Sequence, residues 1–135
     1  MLTYDAKIRT RYGETDKMGV IYHANYINYY EIARTEMLRS TGLYSYDEME
    51  RDGVMMPVVE IESKYLMPAY YDECLTVRVT VREPPTARIT FHYEIYNEKR
   101  ELLNTGRAVL VFISVKSGRP CRPPKKLIDC FKEYF

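Results

Sequence analysis

Tryptophan is absent from this sequence of 135 residues, histidine occurs twice, and cysteine occurs three times. Long apolar runs are missing as well. A bilayer-spanning helix needs about 18 consecutive apolar residues, so stable membrane insertion is not expected. The first eleven residues interleave Asp5, Lys7, Arg9 and Arg11 with apolar neighbours. They lack the unbroken apolar core of a secretory signal, and the chain is expected in the cytoplasm. Charge of one sign is also lacking: 20 Lys and Arg against 19 Asp and Glu leave a formal net charge of +1. A general nucleic-acid binder carries a larger basic excess. Cys74, Cys121 and Cys130 are odd in number and form no CxxC pair. Neither a disulfide framework nor a zinc site is expected, and the thiols read as reduced cytosolic ones. No metal or cofactor is expected. No repeat or low-complexity linker interrupts the chain, so residues 1–135 are read as one domain.

Tyrosine, by contrast, is abundant. There are fourteen, and more than half lie between Tyr4 and Tyr46. Patterning around them yields the elements. Tyr4, Ala6 and Ile8 alternate with Asp5, Lys7 and Arg9 in a first strand, and Tyr12 continues the apolar side. Residues 13–19 are rich in turn formers and read as a loop. Tyr26, Tyr30, Ala33 and Met37 fall at helical spacing, with Ile27 and Tyr29 widening the apolar arc and Glu31, Arg34, Thr35 and Arg39 on the polar side. Asn25 is placed to cap this helix and Gly42 to end it. Ser45 and Glu48 form a capping-box pattern for a short second helix that Gly53 stops.

Beyond this point the period changes to two. Residues 54–65, with an early Pro57, read as one strand. Leu75, Val77, Val79 and Val81 alternate with polar residues in the next, as do Ala87, Ile89, Phe91, Tyr93 and Ile95 in the one after. Residues 97–100 make a hairpin turn, and a last strand of about residues 105–116 contains an apolar run from Ala108 to Ile113. Such a run points to cover on both faces. A short C-terminal helix follows Pro123-Pro124. Strands gathered after a single long helix imply an α+β domain with a five-stranded antiparallel sheet packed on that helix. One helix covers one face, so a second copy of the chain, or in part the C-terminal helix, is expected to supply the other cover.

The chemistry-bearing residues gather in the N-terminal third. Asp16 lies in a glycine-bounded loop, His23 follows seven residues later near the helix start, and Tyr12 precedes Asp16 by four. A helix N-terminus offers unpaired amides that suit an oxyanion, and a carboxylate beside it can act as base or nucleophile. The set matches hydrolysis of an activated carbonyl. Plainer roles fit the same spacing: Asp as turn former, His as cap, Tyr as core. Spacing leaves both readings open.

The stretch Tyr12-Gly13-Glu14-Thr15-Asp16-Lys17-Met18-Gly19-Val20-Ile21-Tyr22-His23-Ala24-Asn25-Tyr26 resembles the signature of the 4-hydroxybenzoyl-CoA thioesterase family, nearest its Tol-Pal-associated bacterial acyl-CoA thioesterase branch. Tyr30-Glu31-Ile32-Ala33-Arg34-Thr35-Glu36, Tyr65-Leu66-Met67-Pro68-Ala69 with Asp72, and Gly118-Arg119-Pro120 extend the resemblance over nearly the whole chain. It implies a hotdog fold, a sheet wrapped around one long helix, in a homodimer or homotetramer. It implies hydrolysis of an acyl-CoA to free acid and CoA, with Asp16 as catalytic carboxylate and Tyr12 and His23 as helpers. Gly19, Val20, Asn25 and Tyr26 are the candidate substrate-contacting residues. Lys17-Met18 departs from the small residues usual after the Asp, which bears on pocket shape. Lys64, Arg88, Arg119, Arg122, Lys125 and Lys126 suit CoA phosphates, although solvated surface charge is the commoner role for each. Acyl groups on acyl carrier protein are the alternative substrate; a hotdog hydratase and a non-catalytic acyl-CoA binding module are the other readings.

Overall fold

The computed structural model describes residues 1–42 and 46–135. In chain order the elements are β1 (Leu2–Arg9), a 3-10 turn (Tyr12–Glu14), α1 (Asn25–Ser40), α2 (Tyr46–Arg51), β2 (Val54–Met55), β3 (Val58–Tyr65), β4 (Cys74–Val81), β5 (Arg88–Tyr96), β6 (Leu102–Val111), β7 (Ile113–Ser114) and α3 (Lys125–Lys132). The expected pair at Ser45 and Glu48 begins at Ser45, which lies outside the described residues. Five strands form an antiparallel sheet in the order β1-β4-β5-β6-β3. This is the α+β arrangement expected, with α1 against one face. Among the described residues no helix is long and apolar enough to cross a membrane.

Two expected strands are each divided in two. Pro57 interrupts residues 54–65, because a proline has no N–H to give to a ladder. The chain before it pairs as β2 with β7, and the chain after it pairs as β3 with β6. The last strand divides correspondingly at Phe112, which is fully buried. Ala108, Val109 and Leu110 are buried in succession, as the unbroken apolar run implied.

Registry places like with like across the inner face. Tyr4, Val79, Tyr93, Gly106 and Ser63 form one row over all five strands. Tyr30 of α1 lies on that row. Its ring stacks on Tyr93 with centroids 4.2 Å apart, and a Cβ built on Gly106 would fall within the Tyr30 phenol. A hydroxyl cluster completes the contact. Tyr30 Oη donates to Asn104 Oδ1, Asn104 Nδ2 donates to Ser63 Oγ at 3.0 Å, and Ser63 Oγ lies 2.8 Å from Tyr30 Oη. Three groups thus satisfy one another in a ring beneath the helix, as buried polar groups must.

On α1 itself Tyr26, Tyr29, Tyr30, Ala33 and Met37 are buried, as their spacing predicts. Two positions differ from expectation. Ile27 is 40% exposed, whereas Arg34, read as part of the polar side, is buried. Its stem packs inward and its Nη1 reaches the Tyr93 hydroxyl at 3.4 Å. Gly42 ends the helix at φ 78°, a left-handed conformation that glycine adopts without strain.

Two outcomes follow. Gly106→Ala forces the Tyr30 ring off Tyr93, and overpacking of this kind costs about 1–3 kcal/mol. Urea denaturation is expected to show that loss; an unchanged midpoint would mean that the ring has room to move. Burial, above other causes, raises the Tyr26 and Tyr29 phenols and pushes Tyr30 up to about 12. In the unfolded chain the same phenols ionise near pH 10. Stability is therefore complete below about pH 10 and falls as the unfolded chain alone ionises up to about pH 12. An alkaline titration should find these tyrosinates forming only as the fold is lost.

Candidate active site

The site is built where β1, a short loop and the start of α1 converge. Thr10, buried after the end of β1, stitches the strand to the loop preceding β4. Its N–H donates to the Glu73 carbonyl at 2.9 Å, its hydroxyl to the Tyr70 carbonyl at 2.6 Å, and it accepts from the Glu73 N–H at 2.9 Å. The chain then makes the 3-10 turn and a small hairpin in which Thr15 bridges Ile21. Ile21, buried, donates to the carbonyl of buried Ala69 at 2.9 Å.

Asp16 sits at the tip of that hairpin. Its N–H donates to the Val20 carbonyl at 2.9 Å, and Gly19, at φ 80°, returns an N–H to the Asp16 carbonyl at 3.0 Å. The carboxylate is held through one oxygen: Oδ1 accepts from Met18 N–H at 2.9 Å and, more weakly, from Val20 N–H at 3.5 Å. Oδ2 has no hydrogen-bond partner among the described residues. Gly19 and Val20, expected to touch substrate, form this turn. The turn-former role and a free carboxylate oxygen thus coexist in one residue.

Nine residues after Asp16 α1 begins, with its N-cap at Ala24 and no side-chain cap. Asn25 is not the cap expected of it. It is the first helical residue, and its Nδ2 donates backwards to the Glu14 carbonyl at 2.9 Å. Capping a helix needs an acceptor oxygen ahead of the free amides, whereas Asn25 uses a donor to tie the loop. The amides of His23 and Ala24 make no hydrogen bond among the described residues, so two N–H groups stay unpaired at the positive end of the helix dipole. The His23 side chain is exposed, with its ring edge-on to Tyr65 at 6.2 Å. Tyr65, from β3, donates its hydroxyl to the His23 carbonyl at 2.9 Å and packs edge-on against buried Tyr26 at 5.1 Å.

Tyr12 stands apart from the other expected residues. It is 78% exposed, and its ring packs edge-on against Tyr71 at 5.7 Å. Its hydroxyl has no hydrogen bond among the described residues. Two residues to which the sequence assigns no role are Glu14 and Tyr65. Glu14 accepts bonds from both ends of the loop, and Tyr65 reaches His23 across 42 residues of chain. A signal for the first existed, since Arg11 and Glu14 stand at capping-box spacing. Among the described residues no group of three His, Cys, Asp or Glu side chains is placed to hold a metal ion.

Residues 10–131 match the family model described as the thioesterase-like superfamily. The chain belongs to that superfamily. An acyl-CoA thioester hydrolase of Escherichia coli O157:H7 is 31% identical over 126 residues, 93% of each chain. YneP of Bacillus subtilis, provisionally named an acyl-CoA thioesterase, is 33% identical over 95% of this chain and 92% of its own. The solved DHNA-CoA thioesterase of Staphylococcus aureus superposes with a TM-score of 0.90 at 36% identity, over 99% of this chain and 89% of that one. The fold is the hotdog thioesterase fold that the motif implied.

The strut at Asn25 gives a test of this thioesterase's loop. Asn25→Asp keeps the shape and would serve a cap well, but it replaces a donor by an anion facing the Glu14 carbonyl. Loss of that part-buried bond costs about 1 kcal/mol. Thermal and urea melts are expected to show the cost; an Asp variant as stable as the parent would restore the capping role.

Proposed function

We propose that this superfamily member hydrolyses acyl-CoA thioesters, with the thioester carbonyl at the start of α1 and Asp16 beside it. The observation that carries the reading is that two unbonded amides, at His23 and Ala24, follow within the same loop a carboxylate that keeps one oxygen free. Amides aimed at a carbonyl oxygen stabilise it as the carbon becomes tetrahedral. Asp16 Oδ2 draws a proton from water or attacks the carbon itself, and the CoA thiolate leaves without needing a strong acid. The exposed His23 imidazole is in reach of water and of the leaving sulfur. Gly19 and Val20 shape the turn under the reacting group, Asn25 ties that turn to the helix, and Tyr26 with Tyr65 walls the acyl group. Tyr12, exposed against Tyr71, meets the substrate from outside the hairpin.

We also infer a homodimer or homotetramer. Strand β3 pairs on one side only, and Val58 and Val59 are 41% and 54% exposed along it. Three free cysteines suit the reducing cytoplasm.

The experiment is thiol release from a panel of short, long, aromatic and hydroxylated acyl-CoAs, with Asp16→Asn alongside the parent. Removing a general base or nucleophile lowers kcat by about 100- to 10,000-fold, and that is the loss expected of a folded Asn variant. Turnover of acyl groups on acyl carrier protein alone would move the function to that carrier. Binding without turnover would make the chain an acyl-CoA binding module, and activity that survives the substitution would remove Asp16 from the centre.

A further inference from the structure

The hairpin that carries Asp16 is closed by its own backbone, so something else must decide where it sits relative to α1. Glu14, half-buried and two residues before Asp16, takes four hydrogen bonds. Its backbone carbonyl accepts from Tyr22 N–H at 2.9 Å and from Asn25 Nδ2 at 2.9 Å. Its carboxylate Oε1 accepts from Arg11 N–H at 2.8 Å and from the Tyr29 hydroxyl at 2.7 Å. Arg11 lies just past β1, Tyr22 on the return leg of the hairpin, and Asn25 and Tyr29 in the first turns of α1.

Among the described residues nothing else in the loop bonds to all three. Asp16 has bonds only within its own hairpin among the described residues, and the helix residue Tyr29 is buried with its hydroxyl directed at Glu14. We propose that Glu14 is a positioning residue: it sets the Asp16 carboxylate at working distance from the unpaired amides at the start of α1. The proposal rests on the thioesterase reading above.

The geometry states what kind of group the position needs. Both side-chain bonds converge on one oxygen, so the requirement is an acceptor and not a charge. A glutamine offers the same carbonyl oxygen to Arg11 and Tyr29, whereas alanine offers none. A residue acting through its charge would give the opposite pattern, with glutamine as poor as alanine.

The test compares the parent with E14A, E14Q, Y29F and D16N on the best acyl-CoA substrate, with kcat, KM and melting temperature measured for each. Misplacement of a reacting group by about 1 Å lowers turnover by roughly 100-fold. E14A is expected to lose about 30- to 100-fold in kcat with KM within about threefold, since substrate still binds but the base is displaced. E14Q should recover kcat to within about fivefold of the parent, and Y29F, which removes one of the two bonds, should fall between E14A and E14Q. If E14A does not fold, a kcat loss in Y29F at constant KM and unchanged melting temperature supports the proposal, and Y29F at parental kcat overturns it. A folded E14A with parental kcat, or E14Q as damaged as E14A, overturns it as well. D16N separates the two levels. An inactive D16N beside a parental E14A leaves the thioesterase site standing and removes Glu14 from it, whereas an active D16N removes both.

Discussion

The contact between the Tyr30 ring and the bare backbone of Gly106 governs how α1 lies on the sheet. A helix laid on a twisted sheet can slide and roll unless some side chain enters the sheet itself. Here a large ring occupies the space of an absent Cβ, stacks on Tyr93, and sends its hydroxyl into the ring formed with Asn104 and Ser63. Stacking alone leaves the helix free to slide along the strand direction. The hydroxyl and amide bonds oppose that, because sliding would part Tyr30 from Asn104 and Ser63 together. The buried aromatic surface supplies most of the energy, about 1.5–3 kcal/mol per large side chain, and the polar ring supplies the register.

With register set, the helix N-terminus has a fixed place. Two contacts carry the constraint from Tyr30 towards it. Tyr26, one turn earlier, meets Tyr65 edge-on, and Tyr65 holds the His23 carbonyl. On the other flank Tyr29 meets Glu14. Three successive core tyrosines of α1 therefore serve three directions: Tyr30 the sheet, Tyr26 the strand at the sheet edge, Tyr29 the loop. Each combines apolar area with a hydroxyl that needs a partner when buried. Phenylalanine would keep the ring contacts but lose the hydroxyl bonds of Tyr29 and Tyr30, which is a physical reason for so much tyrosine in this part of the chain.

Much of this is legible in the residue pattern, and the remainder is not for definite reasons. The helix is announced by apolar spacing and the strands by alternation, because those periods follow from backbone geometry alone. Asp16 and Gly19 are legible because a turn depends on neighbours in sequence. Arg34 is not, since its burial depends on Tyr93, which is 59 residues away. The break at Pro57 is not legible either, since residues 54–65 read as one strand and the change of pairing partner depends on where β6 and β7 run. The role of Asn25 is not legible because its side chain carries both an acceptor, which suits a cap, and a donor, which is the part in use. Spacing cannot tell which end of an amide is engaged. Glu14 and Tyr65 belong to the same class: their partners lie on other elements, and their own residue types say little.

The sequence Glu14-Thr15-Asp16 presents two carboxylates within three residues, and residue type does not choose between them. Each holds two donors on one oxygen and none on the other among the described residues, and the structure distinguishes them by where those donors come from. Glu14 is half-buried and faces the core, and Oε1 already takes two donors, one of them a buried phenol. Recruiting it as a base would break the bonds that hold the loop. Asp16 is tethered through Oδ1 by backbone amides of its own turn and keeps Oδ2 without a partner. A reactive carboxylate needs both conditions without carrying bonds to other elements, since a wholly free side chain wanders and one that anchors the loop cannot move without it. Asp16 meets them because the turn uses one of its oxygens, and the turn keeps its place because Glu14 is occupied elsewhere. The turn-former reading and the catalytic reading of Asp16 are therefore compatible: the first role makes the second possible.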